Sequence, residues 1–295
     1  MTAIICIGDA MIDVIVRMKS TINLNSDTLS EISMHGGGAA ANTAAWLAYL
    51  GIDTTFVGRI GADIAGENFH KELVAQGVKH PNPPLIDKKT GTVVVLVDQA
   101  GNRTMFPDAG ANAGLDEKDL PPLTDFSGAF LSGYSLFNPL SSKGVQRIVS
   151  ALNDAKIPVY LDLASVGTIK AFGLAQAKAL LNGFAGFFLN EDEAKFITGK
   201  DELNEAINEL IELSPLVVIK RGSNGAMGLH RFQEILERPA RSADVIDTTG
   251  AGDSFAAGFL TNWLETGDLS AALDKGIEVA GVCVATIGAR PRVNP

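Results

Sequence analysis

The chain has 295 residues, of which 46% are hydrophobic and 20% are charged, and it contains 31 glycines. These values fit a globular protein with one large α/β domain, or two small ones, and many tight turns. The formal net charge of −10 argues against a nucleic-acid or anionic-membrane surface, because both need clustered Lys and Arg. It is compatible with a polyphosphate held locally by backbone amides and Mg²⁺.

The amino end and the two cysteines indicate a cytoplasmic protein. Cys6 and Cys283 each lie in an apolar run, which predicts reduced core thiols and no disulfide or metal framework. The apolar run 3–8 lacks a basic flank and is too short for a signal peptide or a membrane span.

The first part of the chain predicts a buried strand followed by a separate hairpin. Residues 3–8 are continuously apolar, as strands of a parallel sheet are. Asp9 and Asp13 follow, at the end of the strand where open α/β sheets bind ligands. Residues 13–18 and 29–34 alternate like strands, and the glycines that follow are expected to end the second one. Further elements are expected as helices at 39–50 and 62–76, a strand at 53–58, and a hairpin of 92–98 with 103–106.

The second part alternates strands with helices, which predicts βαβ units and a mostly parallel central sheet with helices on both faces. Strands are expected at 128–131, 158–163, 186–189 and 216–219, helices at 142–155, 174–181, 201–213, 251–265 and 269–287, and an antiparallel pair at 225–229 and 233–238. Since no repeat, low-complexity tract or linker divides the chain, we expect a single domain over residues 1–295.

The stretch Asp247-Thr-Thr-Gly-Ala-Gly-Asp253 predicts an anion site. Its small residues let the backbone turn tightly with N–H groups pointing outward, and a helix that starts there adds its positive end. A carboxylate at such a site would repel phosphate, so Asp253 is interpreted as a base that takes a proton from a hydroxyl. The competing interpretation is a glycine-rich loop in which Asp253 merely caps the helix.

Two other nucleotide-binding patterns do not account for this sequence. No P-loop is present, because the Gly199-Lys200 pair is followed by Asp201. Residues 36–41 fit a loose dinucleotide pattern, but that pattern needs an acid at the end of the next strand, and Asp53 comes before the strand. A Rossmann dehydrogenase is therefore disfavoured.

Four segments, in order along residues 1–295, resemble the ribokinase-like, PfkB-type kinases of carbohydrates and nucleosides. They are Gly37–Ala44 with Gly51 and Gly61, Asn190-Glu-Asp-Glu193, Ile219–Ala226, and Asp247–Leu260. The resemblance implies the ribokinase-like α/β fold with a small β-lid, formed by about 13–19, 29–36 and 90–107, that shields the reaction from water. Lids of this family often pair through their open faces, so the resemblance also allows a homodimer.

The resemblance implies that the γ-phosphate of ATP passes to a hydroxyl of a small molecule. Asp253 would be the catalytic base, and Gly250, Ala251 and Gly252 would form the anion hole. The implied substrate-binding residues are Asp13, Gly37, Gly38 and Asn42. Taken without the resemblance, Asp13 is also a polar strand-turn residue and Asn42 a residue of a first helical turn.

The resemblance implies further residues on the ATP side. Lys220, Gly222 and Gly225 would line the nucleotide, although Lys220 equally fits a solvated strand end. Asn190 and Glu193 would order Mg²⁺ through water, and their spacing also fits a helix capping box. Asp247 and Thr249 match a K⁺ site of members that need a monovalent cation, with a simple turn as the alternative for Asp247.

Departures from the family pattern bear on the acceptor. Ala39 stands where kinases of phosphorylated sugars usually carry Lys, so we expect an acceptor without a phosphate. The D-x-N-x-R stretch of several fructose and ketodeoxygluconate kinases is missing at residues 162–165, which puts those substrates in doubt. Tyr134 and Phe137 would stack on a base or a sugar, or pack in the core. The first hypothesis is a sugar kinase, the second a nucleoside kinase, and the third a non-catalytic binding protein.

The four histidines receive minor roles. His35, beside the glycines, could reach a substrate hydroxyl. The others have no partners at metal-ligand spacing and are expected at the surface. They are His70, His80 and His230.

Overall fold

The computed structural model describes residues 2–292 and contains two β-sheets. The strands are β1 (Ala3–Ile7), β2 (Met11–Met18), β3 (Ser30–Gly37), β4 (Asp53–Val57), β5 (Gly91–Val97), β6 (Arg103–Asp108), β7 (Gly128–Ser132), β8 (Val159–Asp162), β9 (Gly186–Asn190), β10 (Leu216–Lys220), β11 (Ala226–His230) and β12 (Leu236–Arg238). The α-helices are α1 (Ala39–Tyr49), α2 (Ile64–Ala75), α3 (Gly133–Leu136), α4 (Ser142–Asp154), α5 (Val166–Phe172), α6 (Leu174–Ala179), α7 (Glu191–Thr198), α8 (Leu203–Leu210), α9 (Ala251–Thr266) and α10 (Leu269–Val284).

The large sheet has the strand order β12-β11-β10-β9-β8-β7-β1-β4. The strands from β10 to β4 are parallel to their neighbours, while β11 and β12 extend the sheet in antiparallel fashion. Parallel strands place their carboxyl ends along one edge of a sheet, which is where α/β proteins build their sites. The predicted parallel sheet with a late antiparallel pair is confirmed.

Helices cover both faces of the large sheet. Successive residues of a strand point to opposite faces, so neighbouring residues of β1 enter different cores. Ile4 packs in a core with Trp46 and Phe259, whereas Ile5 packs in one with Ile148 of α4. This double burial is why the parallel strands are continuously apolar instead of alternating.

The small sheet, which is β3-β2-β5-β6, stands apart from the large one. Strands β2 and β3 form the predicted hairpin, and β5 and β6 form the second. The expectation that β3 ends before its glycines is wrong, because Gly37 pairs with Met11. A side chain at Gly37 would meet the Asp13 carboxylate, with its Cβ 2.4 Å from Oδ1. The glycine therefore extends the strand and leaves room for Asp13.

The prediction that both cysteines lie in the core is confirmed, and the histidine prediction is wrong in part. Cys6 and Cys283 are fully buried free thiols, and burial raises the pKa of both. His80 is buried, because the segment after α2 folds back beside β4. Its Nε2 lies 3.0 Å from the carbonyl oxygen of Gly58, and its Nδ1 lies 3.1 Å from that of His70. Among the helices of residues 2–292, none has the length and apolar character needed to span a membrane.

Candidate active site

Polar residues end three adjacent parallel strands and meet at one edge of the large sheet. Asp162 ends β8, Asn190 ends β9 and Lys220 ends β10, and Asn190 lies opposite Lys220 in the register. A cavity of about 1240 Å³ lies between this edge, the small sheet and the amino end of α9. Predicted residues that line it are Asp13, Gly38, Asn42, Asn190, Glu193, Lys220, Gly222, Gly225, Ala251, Gly252 and Asp253. The cavity therefore brings together residues from distant parts of the sequence.

Asp253 lies in the first turn of α9 and contacts Asn42 of α1. The side-chain amide of Asn42 donates to Asp253 Oδ2 at 2.9 Å. Asn42 is in turn oriented by Arg290, whose Nε donates to Asn42 Oδ1 at 3.1 Å. The guanidinium also donates to the carbonyl oxygen of Gly37 at 3.0 Å and pairs with Glu72. These bonds fix which way the Asn42 amide points, so its N–H faces the carboxylate.

The environment of Asp253 favours a base that works near neutral pH. Burial raises the pKa of its carboxyl to about 6, the Asn42 hydrogen bond opposes this rise, and the charge of Asp162 adds to it. A base is most effective when its pKa lies near the working pH. The carboxylate is therefore mostly ionised at pH 7 and still basic enough to accept a proton.

The turn before α9 leaves backbone amides available to an anion. Gly250 has φ +78°, and its Cβ would lie 2.6 Å from Ala289, so only glycine fits there. No acceptor within residues 2–292 takes the amides of Gly252 and Asp253, whereas that of Ala251 donates weakly to Thr248 at 3.3 Å. Together with the helix dipole, the two open amides are suited to bind an anion beside the Asp253 carboxylate.

Lys220 forms a buried ion pair with Asp162. Its Nζ lies 2.5 Å from Asp162 Oδ2, and its side chain is only 16% exposed. Burial lowers the pKa of Lys220, but the carboxylates of Asp162 and Glu193 raise it by more than burial lowers it. The pKa is therefore above its ordinary value, and the ammonium group stays charged. A Cβ on Gly252 would come within 3.1 Å of Nζ. Lys220 therefore lies beside the turn with the open amides, and the interpretation as a solvated strand end is wrong.

Asn190 and Glu193 form the predicted capping box of α7. Asn190 Oδ1 accepts from the Glu193 amide at 2.8 Å, and Glu193 Oε2 accepts from the Asn190 amide at 2.9 Å. Burial raises the pKa of Glu193 to about 7, and the charge of Asp162 adds to this rise. The positive charge of Lys220 opposes this rise only in part, so a further cation would be stabilised beside these carboxylates. The described residues hold no group of three His, Cys, Asp or Glu side chains that could hold a metal ion. Mg²⁺ in proteins keeps several of its waters and is often bound by only one or two carboxylates.

The end of the cavity lined by Asp9, Asp13, Gly38 and Asn42, called the acceptor end because the sequence predicts the acceptor there, is acidic. Asp9 lies between β1 and β2, Asp13 lies within β2, and burial raises the pKa of both carboxyls. Gly38 has φ +91°, and its Cβ would lie 2.0 Å from the Asp9 carbonyl oxygen. Ser135 donates to Asp9 at 2.6 Å. Close backbone approach and two carboxylates make this end suitable for hydroxyl groups.

The sequence matches a known protein family along the whole chain. The model for the pfkB family carbohydrate kinases matches residues 1–295. The chain belongs to this family. It is accordingly a sugar or nucleoside kinase with the ribokinase-like fold, and ATP is the substrate expected of such kinases.

Individual relatives of this pfkB-family kinase differ in their names. A ribose-1-phosphate kinase of Halopiger xanaduensis is 30% identical over 258 residues, which cover 86% of this chain and 81% of that protein. A fructokinase of Klebsiella pneumoniae is 29% identical over 295 residues, covering 94% and 90%. Adenosine kinase from Sinorhizobium meliloti superposes with a TM-score of 0.90 at 24% identity, covering 99% and 96%. The last likeness shows the fold alone.

In this kinase, several predicted residues lie behind the cavity wall instead of on it. They are Gly37, Asp247, Thr249 and Gly250. Asp247 accepts from the Thr249 amide at 3.0 Å and from the Gly288 amide at 3.1 Å. Despite its burial, these bonds lower the pKa of Asp247 to about 2. His35, the cross-strand partner of Asp13, is not among the residues that line the cavity, and its ring bonds to Ser33 at 3.0 Å.

The two aromatic residues considered for substrate stacking lie in different places. Tyr134 lines the cavity, whereas Phe137 packs in the core against Phe172, with 5.7 Å between ring centroids. Sequence reasoning missed Arg103 and Arg290. Neither belongs to a motif, and only a three-dimensional arrangement shows that their partners are buried carboxylate or amide groups. One feature of the sequence could have identified Asp162 as a site residue: it lies at the end of a predicted parallel strand, where α/β proteins bind ligands.

Proposed function

We propose that this kinase transfers the γ-phosphate of ATP to a hydroxyl of an unphosphorylated sugar. The observation that carries the proposal is the placement of Asp253. Its carboxylate contacts Asn42, which lines the acceptor end, and shares the first turn of α9 with two open amides. One helix end therefore presents a base to the attacking hydroxyl and an anion hole to the transferred group.

In the proposed reaction, Asp13 and Asn42 hold the acceptor so that one hydroxyl faces Asp253. Asp253 Oδ removes the hydroxyl proton while the oxygen attacks the γ-phosphorus in line and the bond to ADP breaks. The amides of Gly252 and Asp253 and the ammonium group of Lys220 neutralise charge on the transferring group. Afterwards the proton leaves Asp253 to solvent, which its pKa of about 6 permits at neutral pH.

Asn190 and Glu193 are the residues we assign to Mg²⁺, through water. The ion would supply positive charge to the phosphates of ATP. On the nucleotide side, Gly222 and Gly225 line the cavity next to an apolar wall from α10. That wall contains Ile277, Ala280, Gly281 and Val284. An apolar slot beside glycine backbone suits a flat purine base.

An acceptor without a phosphate group fits the charges of the cavity. Among its described lining residues, the basic ones are Lys220 and Arg241, and Lys220 is paired with Asp162. The acceptor end instead presents Asp9, Asp13 and the small side chain of Ala39. The charge of the buried Arg290 acts on Asp13, but no basic residue among those described lines this end of the cavity, so the two carboxylates would repel a phosphate.

A nucleoside acceptor is the second candidate, and the wall formed by the small sheet favours it. This wall is apolar and lies across the cavity from the large sheet. It consists of Met11, Val93, Val95, Met105 and Pro107. Tyr134 adds an aromatic ring to the same cavity. A base would bury more apolar surface against this wall than a free sugar would.

The small sheet is proposed to act as a lid over the acceptor, within a single domain. Its outer face is apolar, with Ile32 and Met34 exposed by 67% and 64%. A contiguous exposed apolar face supports pairing of two lids in a homodimer. Sedimentation velocity tests this, and a concentration-independent monomer would contradict it.

Turnover of an Asp253→Asn variant tests the proposed function. We expect ADP release to fall by about a thousandfold or more, because the general base is removed, while ATP binding by calorimetry is retained. Asp244→Asn, an exposed change of equal charge nearby, is the control and should keep full turnover. The acceptor panel contains ribose, fructose, adenosine, inosine and ribose 1-phosphate. Undiminished turnover of Asp253→Asn would overturn the catalytic assignment, and preference for ribose 1-phosphate would overturn the acceptor class.

A further inference from the structure

Arg103 links the small sheet to the turn that precedes the anion hole. It is the first residue of β6, and its Nη2 lies 3.0 Å from Asp247 Oδ1. Its Nη1 donates to Thr249 Oγ1 at 2.9 Å. Among the ion pairs of residues 2–292, this is the one that joins the small sheet to the body of the protein.

The guanidinium completes the surroundings of a buried carboxylate. The Asp247 side chain is only 4% exposed and accepts from the Thr249 amide, the Thr249 hydroxyl and the Gly288 amide at 3.0, 2.6 and 3.1 Å. These donors are neutral, so they solvate the negative charge without cancelling it. A buried negative charge is costly unless hydrogen-bond donors or a cation compensate it, and among the described contacts of Asp247 the guanidinium of Arg103 is the one that carries a positive charge.

Asp247 and Thr249 are the pair that the family resemblance assigned to K⁺, but their geometry does not call for a free ion. The guanidinium of Arg103 already contacts both the Asp247 carboxylate and the Thr249 hydroxyl. The negative charge of Asp247 is therefore balanced by a residue of the same chain. We propose that Arg103 is a tethered substitute for the monovalent cation, delivered when the small sheet closes over the acceptor. Arg103 is then a positioning residue, and the inference rests on the proposed phosphoryl transfer.

The position of the pair explains how it would act on catalysis. Thr249 directly precedes Gly250, the left-handed residue from which the chain enters α9. Holding Thr249 and Asp247 fixes the path of the two open amides. An unpaired Asp247 would also oppose negative charge developing at those amides. Closure of the small sheet would thus complete the anion hole at the moment the acceptor is covered.

The test compares unchanged protein, Arg103→Ala and Arg103→Lys in buffers of equal ionic strength that contain tetramethylammonium, Li⁺, Na⁺, K⁺ or Cs⁺ chloride. We expect the unchanged protein to vary less than about twofold among these salts. Arg103→Ala should lose about tenfold or more in kcat without K⁺, as expected when charge beside an anion hole is lost, and recover most of it with K⁺. Arg103→Lys should keep its activity without K⁺, which a merely structural role would not predict.

Arg17→Ala is the matched control, because Arg17 is an exposed arginine of the same sheet that faces Val97 in the neighbouring strand. It should behave like the unchanged protein in every salt. The proposal is overturned if K⁺ activates the unchanged protein saturably, or if Arg103→Ala shows the same salt response as Arg17→Ala.

Thermal unfolding separates this inference from the proposed function, because it needs no turnover. K⁺, compared with tetramethylammonium, should raise the melting temperature of Arg103→Ala by about 2–4 °C through binding to the folded state. It should leave the unchanged protein unaffected. If no acceptor were phosphorylated, this measurement would still decide whether Arg103 fills a cation site, and a K⁺ response of the unchanged protein would refute it.

Discussion

Replacing Asn42 by alanine should move the pH dependence of the reaction in a direction the structure determines. The Asn42 amide donates to Asp253 Oδ2 at 2.9 Å and lowers the pKa of a carboxyl that burial has raised to about 6. A hydrogen bond to an ionised group contributes about 1.5–3 kcal/mol, and about 1.4 kcal/mol corresponds to one pKa unit. Since water replaces part of the lost bond, we expect the pKa to rise by about one unit.

The measurement is kcat/KM for the acceptor between pH 5 and 9 at saturating ATP. The base must be ionised, so kcat/KM falls as the pH drops through the pKa of Asp253. In Asn42→Ala this fall should begin about one unit higher, so that the ratio to the unchanged protein worsens by about tenfold from pH 9 to pH 5. The loss of kcat/KM that remains at pH 9, where Asp253 is ionised in both proteins, reports the other contributions of Asn42 to transition-state stabilisation, including acceptor binding.

Thr43→Val is the control for this experiment. Thr43 follows Asn42 in α1 and donates only to the backbone oxygen of Asp253, at 3.3 Å. The fall of kcat/KM at low pH should therefore occur at the same pH in Thr43→Val as in the unchanged protein. If the fall of kcat/KM in Asn42→Ala occurred at the same pH as in the unchanged protein, the reasoning that the Asn42 amide lowers the pKa of Asp253 would be refuted.

Three further predictions concern stability. The pKa of Asp247 falls from 3.8 to about 2 on folding, so Asp247→Asn should cost about 2 kcal/mol at pH 6. This cost should disappear as the pH falls from about 4 to 2, and a pH-independent difference in urea unfolding would contradict it. The ionised carboxylate of Asp253 has the opposite effect on the free energy of unfolding, since the pKa of Asp253 rises from 3.8 to about 6 on folding. Its ionised form destabilises the fold, so Asp253→Asn should be up to ~3 kcal/mol more stable at pH 8 and no more stable below pH 4. Gly250→Ala should abolish turnover and lower the melting temperature, because its φ is +78° and its Cβ would collide with Ala289. Gly267→Ala, with φ +66° and open space around it, should cost only about 1 kcal/mol of backbone strain; equal losses in both would show that strain alone acts at Gly250.

Much of the fold could be predicted because local patterns and tertiary structure agree. The parallel strands are apolar throughout since both faces of the large sheet are buried, and this distinguished them from the alternating strands β2 and β3. Errors arose where tertiary contacts override local preference. Gly36 and Gly37 read as a strand break, yet they remain in β3 because the ladder with β2 continues and Asp13 needs the space.

The site was predictable only where its residues lie in compact motifs. Asp253 and its glycines are contiguous, and their chemistry can be inferred from spacing. Arg290 and Arg103 reach the site from segments with no motif, 248 residues from Asn42 and 144 from Asp247. His80 was misplaced for the same reason, because its burial depends on a segment that folds back beside β4. Such contacts depend on topology, which composition and periodicity do not encode.

The segment 288–290 has a consequence for when the protein becomes active during its synthesis. Gly288 donates to Asp247, Ala289 accepts from Trp46 at 2.9 Å, and Arg290 orients Asn42. All described strands and helices precede these residues in the chain. A nascent chain can therefore form both sheets on the ribosome while Asn42 and Asp247 still lack these contacts. We expect phosphoryl transfer to begin only after this segment has emerged and docked.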